Sequence, residues 1–200
     1  MYPSKIIGQK VMLSHLKPTL KNATILSNIV CENARHLSPF FEQMVQAYAT
    51  PEKALASLEY DETWRLRCQM LPYYISKNST IMGEITAEWS DRNRETEVLY
   101  WIDKKYSGQG YVSEALKLME RTLFCGGHRQ ISLYIDATNW RSAEVAKRNG
   151  YEMIDNTDRF FKTRKMYAEQ LLKEQQIKKH ICQHSTNVIE CFGSFFGHFR

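Results

Sequence analysis

Two glycines two positions apart, Gly108 and Gly110, stand just ahead of apolar residues at helical spacing: Val112, Ala115, Leu116, Met119 and Leu123. The first N–H groups of a helix lack internal partners and carry the positive end of its dipole. Glycines ahead of them let backbone N–H groups turn inward and let an anion approach without a Cβ in the way. A pyrophosphate suits such a turn, and Ser113 either adds a hydroxyl or caps the helix. The turn is not a P-loop, because no Gly-Lys-Ser/Thr follows, nor a dinucleotide fingerprint, because the third glycine is missing. Downstream, a second strand feeds a second helix that starts near Asn139 and holds Ser142 in its first turn. Asn is a good helix cap, and a serine one turn in can bond its own backbone.

Together these residues carry a resemblance. Tyr100-Trp101-Ile102, then Gly108, Gly110, Tyr111, Ser113, Glu114 and Ala115, then Asn139, Ser142, Val145, Gly150 and Tyr151, agree in order and spacing with a known pattern. The chain resembles the GNAT superfamily of N-acetyltransferases, and more narrowly the branch of the ribosomal-protein N-terminal acetyltransferases. The likeness is sharp over residues 97–151 and extends by element order over about 22–172.

The resemblance implies acetyl-CoA as co-substrate, no metal, and direct transfer of its acetyl group to a primary amine within a ternary complex. It implies a mixed, mostly antiparallel α/β sheet whose one parallel strand pair splays apart to take the pantetheine arm, with flanking helices. The implied cofactor-binding residues are Tyr100, Trp101, Ile102, Ser107, Gly108, Gln109, Gly110, Tyr111, Val112, Ser113, Asn139 and Ser142. Ser142 matches the family serine near the thiol, which protonates or solvates the leaving sulfur. Backbone N–H groups near Trp101–Ile102 serve the oxyanion. Two positions depart from the pattern: Ser107 stands where Arg or Gln is usual, and the β-branched Val112 where a small residue is usual. Both line the implied pyrophosphate loop, so cofactor binding there is expected to be weakened rather than lost.

For the base that orders a water and takes the amine proton, Glu97 matches an acidic family position and Glu84 lies on the preceding strand; a strand carboxylate can also simply face solvent. An α-amine, with pKa near 8, needs less help than a lysine or polyamine amine near 10.4. That favours a protein or peptide N-terminus, ribosomal by resemblance. Against it, Glu88, Asp91, Glu95 and Glu97 would make an acidic rim suited to a polyamine or an antibiotic-like amine. A reading of a different class is an adaptor module with a spoiled cradle. Tyr167 matches a tyrosine of the family's C-terminal segment and is expected to pack.

The elements that must position these groups follow from pattern. Thr24–Val30 reads as a first strand, after an N-terminus with no clear periodicity. Cys31–Tyr48 reads as a helix, and a second helix starts at Pro51, a residue suited to a first turn. Strands are expected at Leu71–Ser76, Ile81–Trp89 and Val98–Ile102, with a polar hairpin at 90–94. A helix from Gly110, a strand at Gln130–Ala137, a helix at Trp140–Asn149, a hairpin at 151–162 and a helix at Tyr167–Lys179 complete the order. The strand–helix–strand crossover needs parallel neighbours, and a ligand belongs at their mouth.

The chain has 200 residues, enough for one domain with a real core; residues 1–172 are assigned to it and 173–200 to a basic and aromatic extension. No run is long enough for a membrane helix and no signal-peptide pattern opens the chain. Five scattered cysteines argue against a disulfide framework and for a reducing cytoplasm. His180, Cys182, His184 and Cys191 match no familiar zinc spacing. The net charge is +5, concentrated in Arg159, Lys162, Arg164, Lys165, Lys173, Lys178 and Lys179. That stripe is either a solvated helix face or a contact for a ribosome. A monomer or a homodimer is equally compatible with the sequence.

Overall fold

The computed structural model describes residues 2–89, 95–154 and 158–178. The expected 90–94 hairpin, the acidic-rim residue Asp91, the side chain of Glu95, Lys179 and the tail with His180, Cys182, His184 and Cys191 lie outside that set. The chain divides into two compact units, 1–162 and 163–200.

The first unit is built on one sheet of eight strands in the order β1-β2-β3-β4-β5-β6-β8-β7. The strands are β1 (Lys5–Ile7), β2 (Met12–Ser14), β3 (Met70–Lys77), β4 (Thr80–Trp89), β5 (Glu95–Ile102), β6 (Gln130–Tyr134), β7 (Glu152–Met153) and β8 (Arg159–Thr163). The β1–β2 hairpin was not legible in the sequence, because three-residue strands carry too little alternation. Strands β1 to β5 pair antiparallel. The β5–β6 pair is parallel and joined by helix α3 (Tyr111–Cys125), the expected crossover. Its ladder covers Glu95, Thr96 and Glu97 and stops there. Among the described residues the β6-facing edge of β5 has no strand partner beyond Glu97, which leaves alternate backbone N–H and C=O groups of 98–102 without a ladder there.

One strand assignment is overturned. Thr24–Val30 is part of helix α1 (Leu20–Ala47). Ala23, Leu26, Ser27, Val30, Asn33 and Leu37 are buried at steps of three and four, a helical stripe that a seven-residue window reads as a strand. The side chain of Thr19 caps the helix by accepting from the Asn22 N–H at 3.3 Å. Pro39 lies inside α1, and two residues on Phe41 leaves helical geometry at φ −139°, ψ 44°. A proline removes a helical donor and clashes with the preceding turn, so the kink is local to it. Helix α2 (Pro51–Leu66) starts as expected, with Thr50 as its cap and Pro51 in the first turn.

Helices α1 and α2 cover one face of the sheet, packing Leu26, Val30, Leu58 and Ala54 against Tyr74 and Trp101. Helix α3 packs against β2, β4 and β5, whose opposite-parity residues Ile85, Ala87 and Val98 are also buried. Helix α4 (Trp140–Arg148) follows β6. Lys162, expected in a basic stripe, is instead 1% exposed and donates to Glu120 Oε2 at 2.9 Å. A lone buried ammonium would be costly; paired with a buried carboxylate and bonded to the Asn149 carbonyl, it is tolerated.

In the second unit, residues 164–178 are helical, with Thr163 Oγ1 accepting from the Met166 N–H at 3.3 Å at its start. Lys165, Lys173 and Lys178 are exposed, and Tyr167 is half-buried. No helix among the described residues is long and apolar enough to cross a membrane.

Candidate active site

Strand alternation on β5 sends neighbouring side chains to opposite faces, and the site is built on that. Trp101 lies opposite Glu84, Leu99 opposite Thr86, and Glu97 opposite Glu88, so these six share the α1–α2 face. Tyr100 points to the other face, where its phenol donates to the Ser142 backbone carbonyl at 3.2 Å. Tyr100 therefore ties β5 to α4 across the splayed strands. Burial raises its phenol pKa well above the usual range, so it stays a neutral donor.

A groove of about 430 Å³ runs from the turn before α3, past α4, to Phe41 of the α1 kink. It is lined by Tyr100, Trp101, Ile102, Ser107, Gly108, Gly110, Tyr111, Val112, Ser113, Asn139 and Ser142. All the cofactor-binding residues expected from sequence are thus brought together except Gln109, which is exposed and donates to the Lys105 carbonyl at 3.0 Å. Gly108 and Gly110 have φ of +76° and +81°, a conformation that L side chains rarely adopt. A Cβ on Gly108 would meet nothing within 4 Å, so the space over the turn is open. Gly110 caps α3 with no side-chain hydrogen bond, leaving the helix's first N–H groups facing that space. The cradle fits a pyrophosphate on this geometry. Both departures from the family pattern, Ser107 and Val112, line it.

At α4 the Asn139 side chain accepts from the Ser142 N–H at 3.2 Å, which fixes the cap. The Ser142 hydroxyl makes no hydrogen bond of its own among the described residues and lines the groove. A carbonyl-to-hydroxyl contact within its own helix, the alternative for a serine there, is not formed.

A second cavity of about 560 Å³ lies on the α1–α2 face. It shares Phe41, Tyr100 and Trp101 with the groove, so the two meet where the splayed pair opens. Its walls are mostly apolar, but Asp61, Glu84 and Glu88 face into it. Glu84 accepts from Trp101 Nε1 at 3.1 Å and from Thr86 Oγ1 at 2.7 Å. Asp61 accepts from the Tyr74 phenol at 3.4 Å, and Tyr74 contacts the Tyr48 phenol at 3.3 Å. Burial is the main force raising both carboxyl pKa values. The neighbouring Glu84 charge raises Asp61 further, to about 8, while the bond from Tyr74 opposes. At Glu84 the bonds from Thr86 and Trp101, which favour the ionised form, oppose the rise. Two neighbouring carboxyls in one apolar cavity titrate as a pair, both pushed above the ordinary carboxylate range. Glu84 is therefore not a solvent-facing strand carboxylate.

Glu97 sits elsewhere. It is on the paired part of β5, opposite Ser132, and lines a third cavity of about 490 Å³ with Tyr134 and Arg159. That cavity adjoins the second through Tyr60, Met70 and Glu88. Burial raises the Glu97 pKa, Glu88 adds to this, and Arg159 opposes it. Asp61 was missed in the sequence, although a signal existed: with Ala54 and Leu58 it continues the buried phase of α2, and a charge at a core position is a candidate for function. Among the described residues no group of His, Cys, Asp and Glu could hold a metal ion.

This arrangement, a splayed parallel pair with an anion cradle at its mouth, defines an acyltransferase fold. The chain belongs to the GNAT acetyltransferases, an acetyl-CoA-dependent family: its residues 12–152 match the acetyltransferase (GNAT) domain. The ribosomal-protein-serine acetyltransferase of Escherichia coli K12 is 27% identical over 142 residues, 69% of this chain and 74% of that protein. The fold is also similar to that of a microcin C7 self-immunity acetyltransferase, MccE, solved with acetyl-CoA and AMP, at TM-score 0.69, 17% identity, 80% of this chain and 97% of that one. A ribosomal-protein-S5-alanine acetyltransferase from Vibrio fischeri matches at TM-score 0.68, 16% identity, 81% of this chain and 97% of that one.

Proposed function

We propose that the chain acetylates the α-amine of a protein or peptide, a ribosomal protein being the first candidate, with Glu84 and Asp61 receiving the amine proton. The observation that carries the reading is the meeting of two cavities at Phe41, Tyr100 and Trp101: a groove with an anion cradle on one side, an apolar cavity with carboxyls on the other. When bound, acetyl-CoA supplies an acetyl thioester at that meeting point. Gly108, Gly110 and the first N–H groups of α3 would hold its pyrophosphate, and the open edge of β5 beyond Glu97 would hold its arm. The Trp101–Ile102 end of that edge would offer N–H groups to the carbonyl oxygen as charge develops there. The free Ser142 hydroxyl would donate a hydrogen bond to the departing sulfur.

The acceptor must arrive neutral to attack. An α-amine is partly neutral near pH 8, and burial raises both carboxyl pKa values of the Glu84–Asp61 pair, so its ionised form would be a stronger base than an ordinary carboxylate and would take the amine proton through an ordered water. This geometry favours Glu84 over Glu97 as base. The third cavity, continuing from the second, leaves room for peptide residues beyond the amine. The E. coli relative's name supports a ribosomal acceptor, and the exposed Lys165, Lys173 and Lys178 would suit a salt-sensitive contact with a ribosome in the cytoplasm. One observation favours a small-molecule acceptor instead: the acidic lining of the second cavity suits a cationic amine of any size.

A peptide panel separates these readings by mass spectrometry. Peptides with free α-amines should gain one acetyl group at the N-terminus, and the same peptides with blocked N-termini and free lysines should gain none. Transfer only to polyamines or other small amines would overturn the proposed acceptor class.

A further inference from the structure

At Ser107 the pyrophosphate loop lacks the basic or amide side chain that is usual there. The structure assigns that charge to Lys10, in the turn of the β1–β2 hairpin; the assignment rests on the reading of the loop before α3 as the pyrophosphate cradle. Lys10 Nζ lies 3.5 Å from the point where a Cβ on Gly110 would stand, so its ammonium is held beside the cap residue of α3. Its position is fixed from the backbone. The Glu114 carboxylate, in the first turn of α3, accepts from the Gln9 N–H and, at 2.9 Å through each oxygen, from the Lys10 N–H. The turn itself is closed by the Gly8 N–H donating to the Val11 carbonyl at 2.9 Å. A side chain at Gly8 would collide with Glu114 and with the Val11 carbonyl, which is why glycine stands there.

Two other nearby ammonium groups are already engaged. Lys105 pairs with Asp103 at 2.8 Å, and Lys77 donates to the Tyr111 phenol at 3.0 Å. Lys10 is exposed and makes no ion pair among the described residues. An unpaired cation beside an uncapped helix N-terminus and two left-handed glycines completes an anion site from a distant part of the chain. It also explains how the loop tolerates Ser107. The hairpin is thus part of the donor site, contributing a phosphate contact to the pyrophosphate rather than to the acetyl end.

Substitution of Lys10 leaves the clamp intact, because Glu114 holds backbone N–H groups. Calorimetric titration of the full chain, wild type and Lys10→Ala, with acetyl-CoA, 3′-dephospho-acetyl-CoA and S-acetylpantetheine tests the assignment. Lys10→Ala should weaken the first two by roughly 3- to 10-fold, the effect shrinking at high salt, and leave S-acetylpantetheine unchanged. Lys10→Arg should restore affinity, and Lys10→Glu should weaken it further. Equal affinity of wild type and Lys10→Ala for acetyl-CoA would overturn the inference alone. An effect confined to the ligand with the 3′-phosphate would overturn the assignment to pyrophosphate. Failure of the wild type to bind acetyl-CoA would overturn the cradle reading and the inference with it.

Discussion

At the scale of residues, the proposed chemistry turns on two carboxyls and a hydroxyl. Glu84 is oriented by Thr86 and Trp101 and faces into the second cavity beside the junction residue Trp101. Glu84→Gln keeps the shape but cannot accept a proton, so kcat should fall by about 10²-fold with the acetyl-CoA KM unchanged. Equal loss from Glu97→Gln, with Glu84→Gln active, would reverse the assignment. Ser142→Ala should lower kcat by roughly 10-fold without moving α4, whose cap is the Asn139 side chain. Asp61 makes a separate, thermodynamic prediction. Its folded pKa, about 8, lies above the unfolded value near 3.9. The stability it contributes is complete below pH 4 and is lost as pH rises toward 8, because the unfolded chain releases the proton first. Asp61→Asn removes that loss. Thermal midpoints should diverge in favour of Asp61→Asn from about pH 4, the gap widening up to about pH 8 and staying constant above. A constant gap across that range would show that Asp61 titrates normally.

At the scale of elements, the β5–turn–α3 segment does most of the positioning. Gly110→Ala puts a side chain at φ +81° and aims it at Lys10, so acetyl-CoA affinity should drop by roughly 10-fold or more while the fold survives. The buried Lys162–Glu120 pair anchors β8 to α3. Lys162→Met alone leaves a buried carboxylate and should cost about 3–5 kcal/mol by urea unfolding; joining it to Glu120→Met should recover most of that. The sequence made the elements of residues 70–162 legible because glycines, strand-forming runs and helical spacing agree there. It failed at α1, where Leu26 and Val30 occur among Ser27, Asn28 and Ile29 and a short window cannot separate a helical stripe from a strand. It also failed at Lys162, since pairing with Glu120 across 42 positions leaves no local mark.

At the scale of the whole molecule, the residues of the candidate donor groove could be read together from the sequence, and those of the proposed acceptor cavity could not. The cradle residues are contiguous in the chain, so their spacing carries the ligand's shape. The acceptor cavity is assembled from α1, α2, β4 and β5, and only the fold brings Phe41, Asp61 and Glu84 together. The Pro39 kink matters for the same reason: it sets Phe41 at the junction of the two cavities. The central claim is that donor groove and acceptor cavity are continuous at Trp101. A bisubstrate compound, in which CoA sulfur is joined through an acetyl bridge to a peptide α-nitrogen, tests it by calorimetric titration. Continuity predicts binding at least about 10²-fold tighter than CoA alone, since the second half binds as a tethered group. Affinity no better than that of CoA would contradict the account, because the peptide half would then have no cavity to enter.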